Sequence, residues 1–293
     1  MPEFISKLQY KTCEEGEYFD EKPRNLEETI ELIKNFPWAR EQYADLGLTG
    51  PSVTILDKKG NYLKAGIYYG GRFTLYYFDK HRDFYEYRNT NVEKVYEAVT
   101  DFFNGYIKLE KFEKSAFAPG KKKYFVTNKF EYHIRLWKVL LLTAMWSFFF
   151  IGCLISALVL LYHSLVEAAL MPLVFTTAFS CIEVPILAKY YQKRNQYLKI
   201  SRGNDLFWFG NTADEVREYN KADIDKITIY EDRNYHSPND IEVIEIIFND
   251  SSTIVFTNVL ISTTLFTEKF SEKWKEKFSS EKVHWFAFLR MIP

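Results

Sequence analysis

Two long apolar stretches in the middle of the chain most constrain what it can fold into. The run Val139–Tyr162 contains no charged residue, and the run Ala168–Ala188 contains only Glu183. An α-helix rises about 1.5 Å per residue, so each run is long enough to cross the roughly 30 Å apolar core of a bilayer. The short link 163–167 predicts that the two helices are antiparallel neighbours. We therefore expect a two-helix transmembrane hairpin over residues 139–188.

Basic residues flank this hairpin on both sides, whereas the link contains no Lys or Arg. The positive-inside rule then places both flanking regions in the cytoplasm, which predicts a two-pass membrane protein with both termini cytoplasmic. The lysine triplet either binds anionic lipid or only fixes this topology. The residues expected at the membrane interface are Lys121, Lys122, Lys123, Arg135, Trp137, Lys138, Lys189, Lys193 and Arg194.

Composition excludes several classes of protein. With 26% charged and 18% aromatic residues, the chain is not disordered. Its 38 basic and 39 acidic residues leave a net charge of −1, which argues against a nucleic-acid partner. The cysteines Cys13, Cys153 and Cys181 lie far apart and predict neither disulfides nor a zinc site. Nucleophile and phosphate-binding motifs are missing from the sequence and the histidines are isolated, so we expect no enzyme, no metal and no cofactor.

The region before the hairpin, residues 1–115, predicts a small cytoplasmic α+β domain. Asn25 and Glu28 form a capping box at the start of a first helix, and a second capping box at Thr90 begins another. Between the helices, four β-rich runs within 51–89 are separated by turn residues and predict an antiparallel meander. Residues 116–138, which follow this domain, predict a basic linker.

The region after the hairpin, residues 189–293, predicts six short strands and then an amphipathic helix. Large aromatic residues recur every four positions in the predicted helix, which gives it one apolar face. Short strands followed by one helix predict a small β-barrel with a capping helix. The aromatic residues of this face are Phe266, Phe270, Trp274 and Phe278.

Four segments follow the hairpin in a recognisable order. They are KYYQKR, LKISRGNDLFWFG, EYNKADIDKITIY and IEVIEIIFNDSSTIVFTN. In this arrangement the chain resembles bacterial membrane proteins with a PH-like domain, which implies a PH-like fold for the predicted barrel. Acidic residues outnumber basic ones over 200–293. We therefore expect this domain to bind protein or to oligomerise rather than to bind an anionic lipid headgroup.

The first region carries a second resemblance. Its segment LTGPSVTILDKKGNYLKAGIYYGGRFTLYYFD, followed by a capped helix, resembles small immunity-type domains encoded beside bacterial toxins of type VI secretion and polymorphic toxin systems. The resemblance implies an inner-membrane immunity protein that neutralises a toxin or effector by direct binding, with a membrane-acting toxin as one option. The alternative is a membrane-anchored PH-like sensor or scaffold that oligomerises and recruits a cytosolic partner.

The complete prediction is an α+β multidomain membrane protein. It combines the N-terminal α+β domain, the transmembrane hairpin and the C-terminal PH-like β-barrel. The expected partners are a lipid bilayer and a protein, with a second copy of the chain as a further option. Nucleic acid is not expected.

The candidate partner-binding residues are Glu183, Tyr69, Arg72, Tyr77, Tyr85 and Tyr87. A carboxylate among apolar residues is costly, so Glu183 either reaches water or Lys138 near the interface, or faces another helix. The tyrosines lie on strands whose side chains alternate between faces. They form either a protein interface or part of the packing against the two helices.

Overall fold

The computed structural model describes residues 2–42, 50–67, 69–115, 120–134, 136–232 and 242–283. Two compact units make up the chain. The first unit consists of residues 1–129 with 201–204, and the second of residues 130–200 with 205–293.

The first unit is built on one antiparallel sheet. Its strands are β1 (Phe4–Gln9), β2 (Phe19–Arg24), β3 (Ser52–Leu56), β4 (Tyr62–Ile67), β5 (Phe73–Phe78), β6 (Phe84–Thr90) and β7 (Glu113–Lys114). They are arranged in the order β2-β1-β3-β4-β5-β6-β7. The successive pairing of β3 to β6 confirms the predicted meander. Three strands, β1, β2 and β7, were not predicted. The polar sequence of β2 has no alternating pattern and contains Pro23, which an edge strand tolerates.

Three helices pack on one face of this sheet. They are α1 (Leu26–Asn35), α2 (Trp38–Glu41) and α3 (Val92–Phe103). The capping box of α1 is confirmed, because the Glu28 amide donates to Asn25 Oδ1 at 2.9 Å and the Asn25 amide donates to Glu28 Oε2 at 2.9 Å. The cap of α3 is Asn91, one residue later than predicted. Ile33, Val95 and Val99 are fully buried between these helices and the strands.

The opposite face of the sheet is also covered. Phe125, fully buried, lies with its ring centroid 5.4 Å from that of Phe78 and 5.6 Å from that of Tyr62. It belongs to the range 116–138 that was predicted as a basic linker. The two neighbours of Phe125 in the chain are half-buried in the same cluster. Both faces of the sheet are therefore packed. The alternation of side chains along the strands did not decide which face is the core, and aromatic residues fill the second face as well.

Two lysines lie in the centre of this second face. Lys7, Thr54 and Lys64 are cross-strand neighbours on β1, β3 and β4. Lys64 is fully buried, and its Nζ donates to Gln9 Oε1 at 2.8 Å. Burial, together with the nearby charge of Lys7, lowers the pKa of Lys64 to about 7. Burial also lowers the pKa of Lys7, although Glu21 opposes this shift.

The second unit contains two four-stranded sheets. Their strands are β8 (Glu131–His133), β9 (Tyr197–Lys199), β10 (Leu206–Gly210), β11 (Arg217–Asn220), β12 (Ile224–Asp232), β13 (Val243–Phe248), β14 (Thr253–Thr257) and β15 (Phe278–Val283). The sheets have the orders β11-β10-β9-β8 and β14-β13-β12-β15. One apolar core, which includes Leu198, Phe207, Ile227 and Phe256, joins the two sheets.

The predicted capping helix is shorter than expected. Helix α6 (Thr263–Glu268) begins at the cap Ser262, and the chain then forms a 3₁₀ turn and enters β15. The chain leaves the helix because β15 adds to the edge of β12 as a parallel strand. The four-residue spacing of aromatics is nevertheless used, since Phe266, Phe270 and Trp274 are all buried in the core.

The two apolar stretches form the helices α4 (Leu136–Tyr162) and α5 (Val166–Gln192). The prediction that they form a transmembrane hairpin is wrong, because among the described residues no helix is long and apolar enough to span a bilayer. The predicted two-pass inner-membrane localisation depended on this hairpin and is corrected with it.

The buried position of Lys64 predicts how stability depends on pH. Its folded pKa of about 7 lies below the ordinary 10.5, so the unfolded chain binds more protons between these values and stability rises with pH. Between pH 7 and 9 we expect the free energy of unfolding to increase by about 2 kcal/mol from this group. Urea denaturation at pH 7, 8 and 9 measures this increase in the free energy of unfolding.

Lys64→Met should flatten this dependence and stabilise the protein at pH 7. The exposed substitution Lys58→Met is the matched control and should keep the wild-type slope. An unchanged slope in Lys64→Met would show that the buried amine is not its origin.

Candidate interaction surface

A helical hairpin lies between the first two strands of the second unit. Strands β8 and β9 pair antiparallel over Glu131↔Lys199, Tyr132↔Leu198 and His133↔Tyr197. Two residues are enough to join such a pair, whereas here α4 and α5, each of 27 residues, form the connection. Leu198 is fully buried in the core between the sheets. The hairpin therefore starts and ends on strands fixed by the packed core.

Small residues form the seam between the two helices. Ala157 of α4 and Ala169 of α5 are fully buried, and Thr176 of α5 is nearly so. The Thr176 hydroxyl donates to the Pro172 carbonyl oxygen at 2.7 Å, which satisfies this buried polar group inside its own helix. Small side chains at these positions allow α4 and α5 to pack closely there.

The outward faces of both helices are apolar and exposed. Phe148 is 77% exposed, Met171 is 70% exposed and Val174 is 65% exposed. Monomeric proteins rarely expose contiguous apolar patches of more than a few hundred Å², and larger ones mark interaction sites. We name this surface the hairpin face; its large residues are Phe148, Phe149, Ile151, Leu154, Ile155, Leu158, Val159, Leu161, Tyr162, Val166, Leu170, Met171, Val174 and Phe175.

Charge is nearly missing from the hairpin face. Over the described side chains of 148–162 and 166–178, Glu167 beside the connecting turn is the one charged group. An apolar surface of this kind gains free energy when water is removed from it and has no salt bridge to satisfy. Among the described residues, no three His, Cys, Asp or Glu side chains lie close enough together to hold a metal ion. The chemistry that this surface supports is apolar binding.

Three of the tyrosines predicted as partner-binding residues pack against other rings of the first unit. The Tyr77 ring lies 6.4 Å from the Phe102 ring and 5.9 Å from the Tyr85 ring. Burial raises the pKa of Tyr77 to about 12. The Tyr87 ring lies 5.6 Å from that of Phe112. The structure therefore brings Tyr77 and Tyr85 together, on the face of the sheet that the helices cover.

The other partner-binding candidates are separate from these rings. Arg72 is exposed, and its Nη1 donates to Asn89 Oδ1 at 2.9 Å. The side chains of Tyr69 and Glu183 lie outside the described residues, as do Arg135 and the side chains of Lys138 and Lys189.

The lysine triplet makes contacts within the first unit. Lys121 Nζ lies 5.5 Å from the centroid of the Phe84 ring. Lys123 Nζ lies 2.8 Å from Glu15 Oε1 and forms an ion pair with it. Lys122 is exposed.

The remaining predicted interface residues flank the hairpin at its base. Trp137, in the first turn of α4, is 56% exposed. After α5, Lys193 Nζ donates to Asn211 Oδ1 at 3.5 Å, and the Arg194 guanidinium lies 4.1 Å from the centroid of the Tyr191 ring. These two basic residues therefore stay close to the base of the hairpin.

The hairpin face was not predicted from the sequence, because the whole apolar run was expected to contact lipid. The alternation of buried alanines and exposed large residues is present in the sequence, but nothing there shows which side of the helix packs. The buried pair Lys7 and Lys64 was also missed. A lysine in an alternating strand normally faces water, so the sequence contains no signal for its burial.

Two adjacent alanines test the seam. Ala169→Leu places three extra carbon atoms where α4 and α5 are in contact, and overpacking of this kind typically costs about 1–3 kcal/mol. Ala168→Leu makes the same change on an exposed position and should leave stability nearly unchanged. Thermal unfolding followed by circular dichroism compares them, and equal melting temperatures would contradict the assigned seam.

Comparison with known proteins agrees with the architecture of the second unit. No curated protein and no solved structure matches the chain. Residues 123–269, half of the chain, match the family described as PH domain. This range contains β8 to β14, α6 and the inserted hairpin. The PH-like domain implied by the sequence resemblance is thereby confirmed, and the chain belongs to the PH domain family.

Proposed function

We propose that this protein is a binding scaffold in which a PH-like barrel carries a helical hairpin as its interaction element. It acts by binding another protein rather than by catalysis. The observation that supports this proposal is the hairpin face, an apolar surface on two helices that is anchored at both ends in the barrel. The predicted alternative of a PH-like scaffold is kept here without its membrane anchor.

The composition of the hairpin face suits a protein partner. Aromatic residues and methionine are enriched at protein interfaces, and Phe148, Phe149, Met171 and Phe175 supply both types. Helices with an apolar face commonly bind by placing that face against a groove or another helix. The paired helices also lose little conformational freedom on binding, since the seam at Ala157 and Ala169 already fixes them against each other.

Site-specific cross-linking in living cells tests the proposal. A photo-reactive amino acid replaces Leu158, which is 58% exposed on the hairpin face. We expect irradiation to attach this position to protein, giving a discrete species of higher mass on a denaturing gel. The same amino acid at Glu93, an exposed residue of α3, is the matched control and should give no such species. If position 158 yields no protein adduct, the scaffold role is refuted.

The toxin-neutralising role implied by the resemblance of the first unit is a narrower form of the same proposal. It predicts that expression of this chain rescues cells from a toxin encoded beside its gene. We further expect Leu158→Glu to reduce the rescue, because a buried unpaired carboxylate opposes apolar binding. Growth after induction of the toxin measures both effects. Lack of rescue by the unaltered chain would remove the immunity role and leave the wider scaffold proposal standing.

A further inference from the structure

We infer that the partner bound by the hairpin face is a second copy of this chain, so that two hairpins form a four-helix bundle. This inference rests on the proposed function and names its partner. It uses the area, the charge and the geometry of the hairpin face.

The exposed area is large enough for a stable dimer. The fourteen large residues of the hairpin face are exposed by between 37% and 86%. With about 200 Å² for each large side chain, they present on the order of 1,500 Å² of apolar surface. A standard interface buries about 800 Å² on each partner. Covering about half of the hairpin face is therefore sufficient.

The charge of the hairpin face permits self-association. Identical charged surfaces repel each other when a two-fold axis brings them together, unless opposite charges alternate within them. Here the described side chains of the two helices contribute only Glu167, which lies next to the connecting turn. An antiparallel arrangement of two hairpins places the two Glu167 carboxylates at opposite ends of the bundle, where water solvates them.

The geometry of the hairpin also fits this partner. Two antiparallel helices in contact have one buried seam, here at Ala157 and Ala169, and their large residues point away from it. A four-helix bundle supplies the missing core, because helices crossing at about 20° interdigitate such residues. A second copy of the same hairpin has the matching length, apolar character and paired arrangement.

The test measures the mass of the full chain in solution. Multi-angle light scattering in detergent-free buffer should give twice the mass of one chain. The double variant Leu158→Glu/Val174→Glu should reduce this to the mass of a single chain, because each dimer would then bury four unpaired carboxylates. Thr253→Glu, an exposed position on β14 in the same unit, is the matched control and should remain dimeric. Circular dichroism confirms that all three proteins are folded.

Several results would overturn the inference. A wild-type chain with the mass of one copy would do so, and so would a dimer that persists in the folded double variant. A chain that stays in solution only as a detergent-bound single copy would show that amphiphile covers the face instead.

Cross-linking separates this inference from the proposed function. An adduct at position 158 with the mass of two chains supports both. An adduct of another mass, together with a purified chain of single-copy mass, overturns self-association and preserves the scaffold role. If position 158 forms no protein adduct, both are overturned.

Discussion

The antiparallel pairing of β8 with β9 is the interaction on which the architecture of the second unit depends. Strand β9 belongs to the packed core through Leu198, and β8 packs against this core through Tyr132. These strands are also the points where the hairpin leaves and re-enters the two-sheet core. Two long helices can connect paired strands, because the entropic cost of closing a loop increases only slowly with the length of the connection. The two-sheet core can therefore keep its fold while the connection forms a surface of its own.

The sheet of the first unit is buried on both faces. Helices cover one face, and the segment around Phe125 covers the other. The second cover encloses Lys7 and Lys64, whose amines would be solvated on a one-layer sheet. The cost of enclosing them appears as lowered pKa values, in Lys64 to about 7. The stability of this unit therefore depends on pH, and its net charge does not indicate this dependence.

Local signals in the sequence predicted a large part of the fold. The capping box at Asn25 and Glu28, the meander from β3 to β6 and the two apolar helices follow from patterns within a few residues. The PH-like domain was implied by the resemblance of the segments after the hairpin to a known family, and the family match confirms it. Strands β1, β2, β7, β8 and β15 were missed, because their positions depend on partners distant in the sequence rather than on a pattern of their own.

The sequence by itself determined where the long helices and most of the strands form and that one part of the chain is rich in apolar residues, because propensity and periodicity are local properties. Only the tertiary structure decided which side of each element is covered. It placed alanines in the seam of the hairpin and large residues outside it, and it buried Lys64 under a distant segment. Whether an apolar residue is core or binding surface depends on the neighbours that the fold brings to it, and a linear pattern does not contain them.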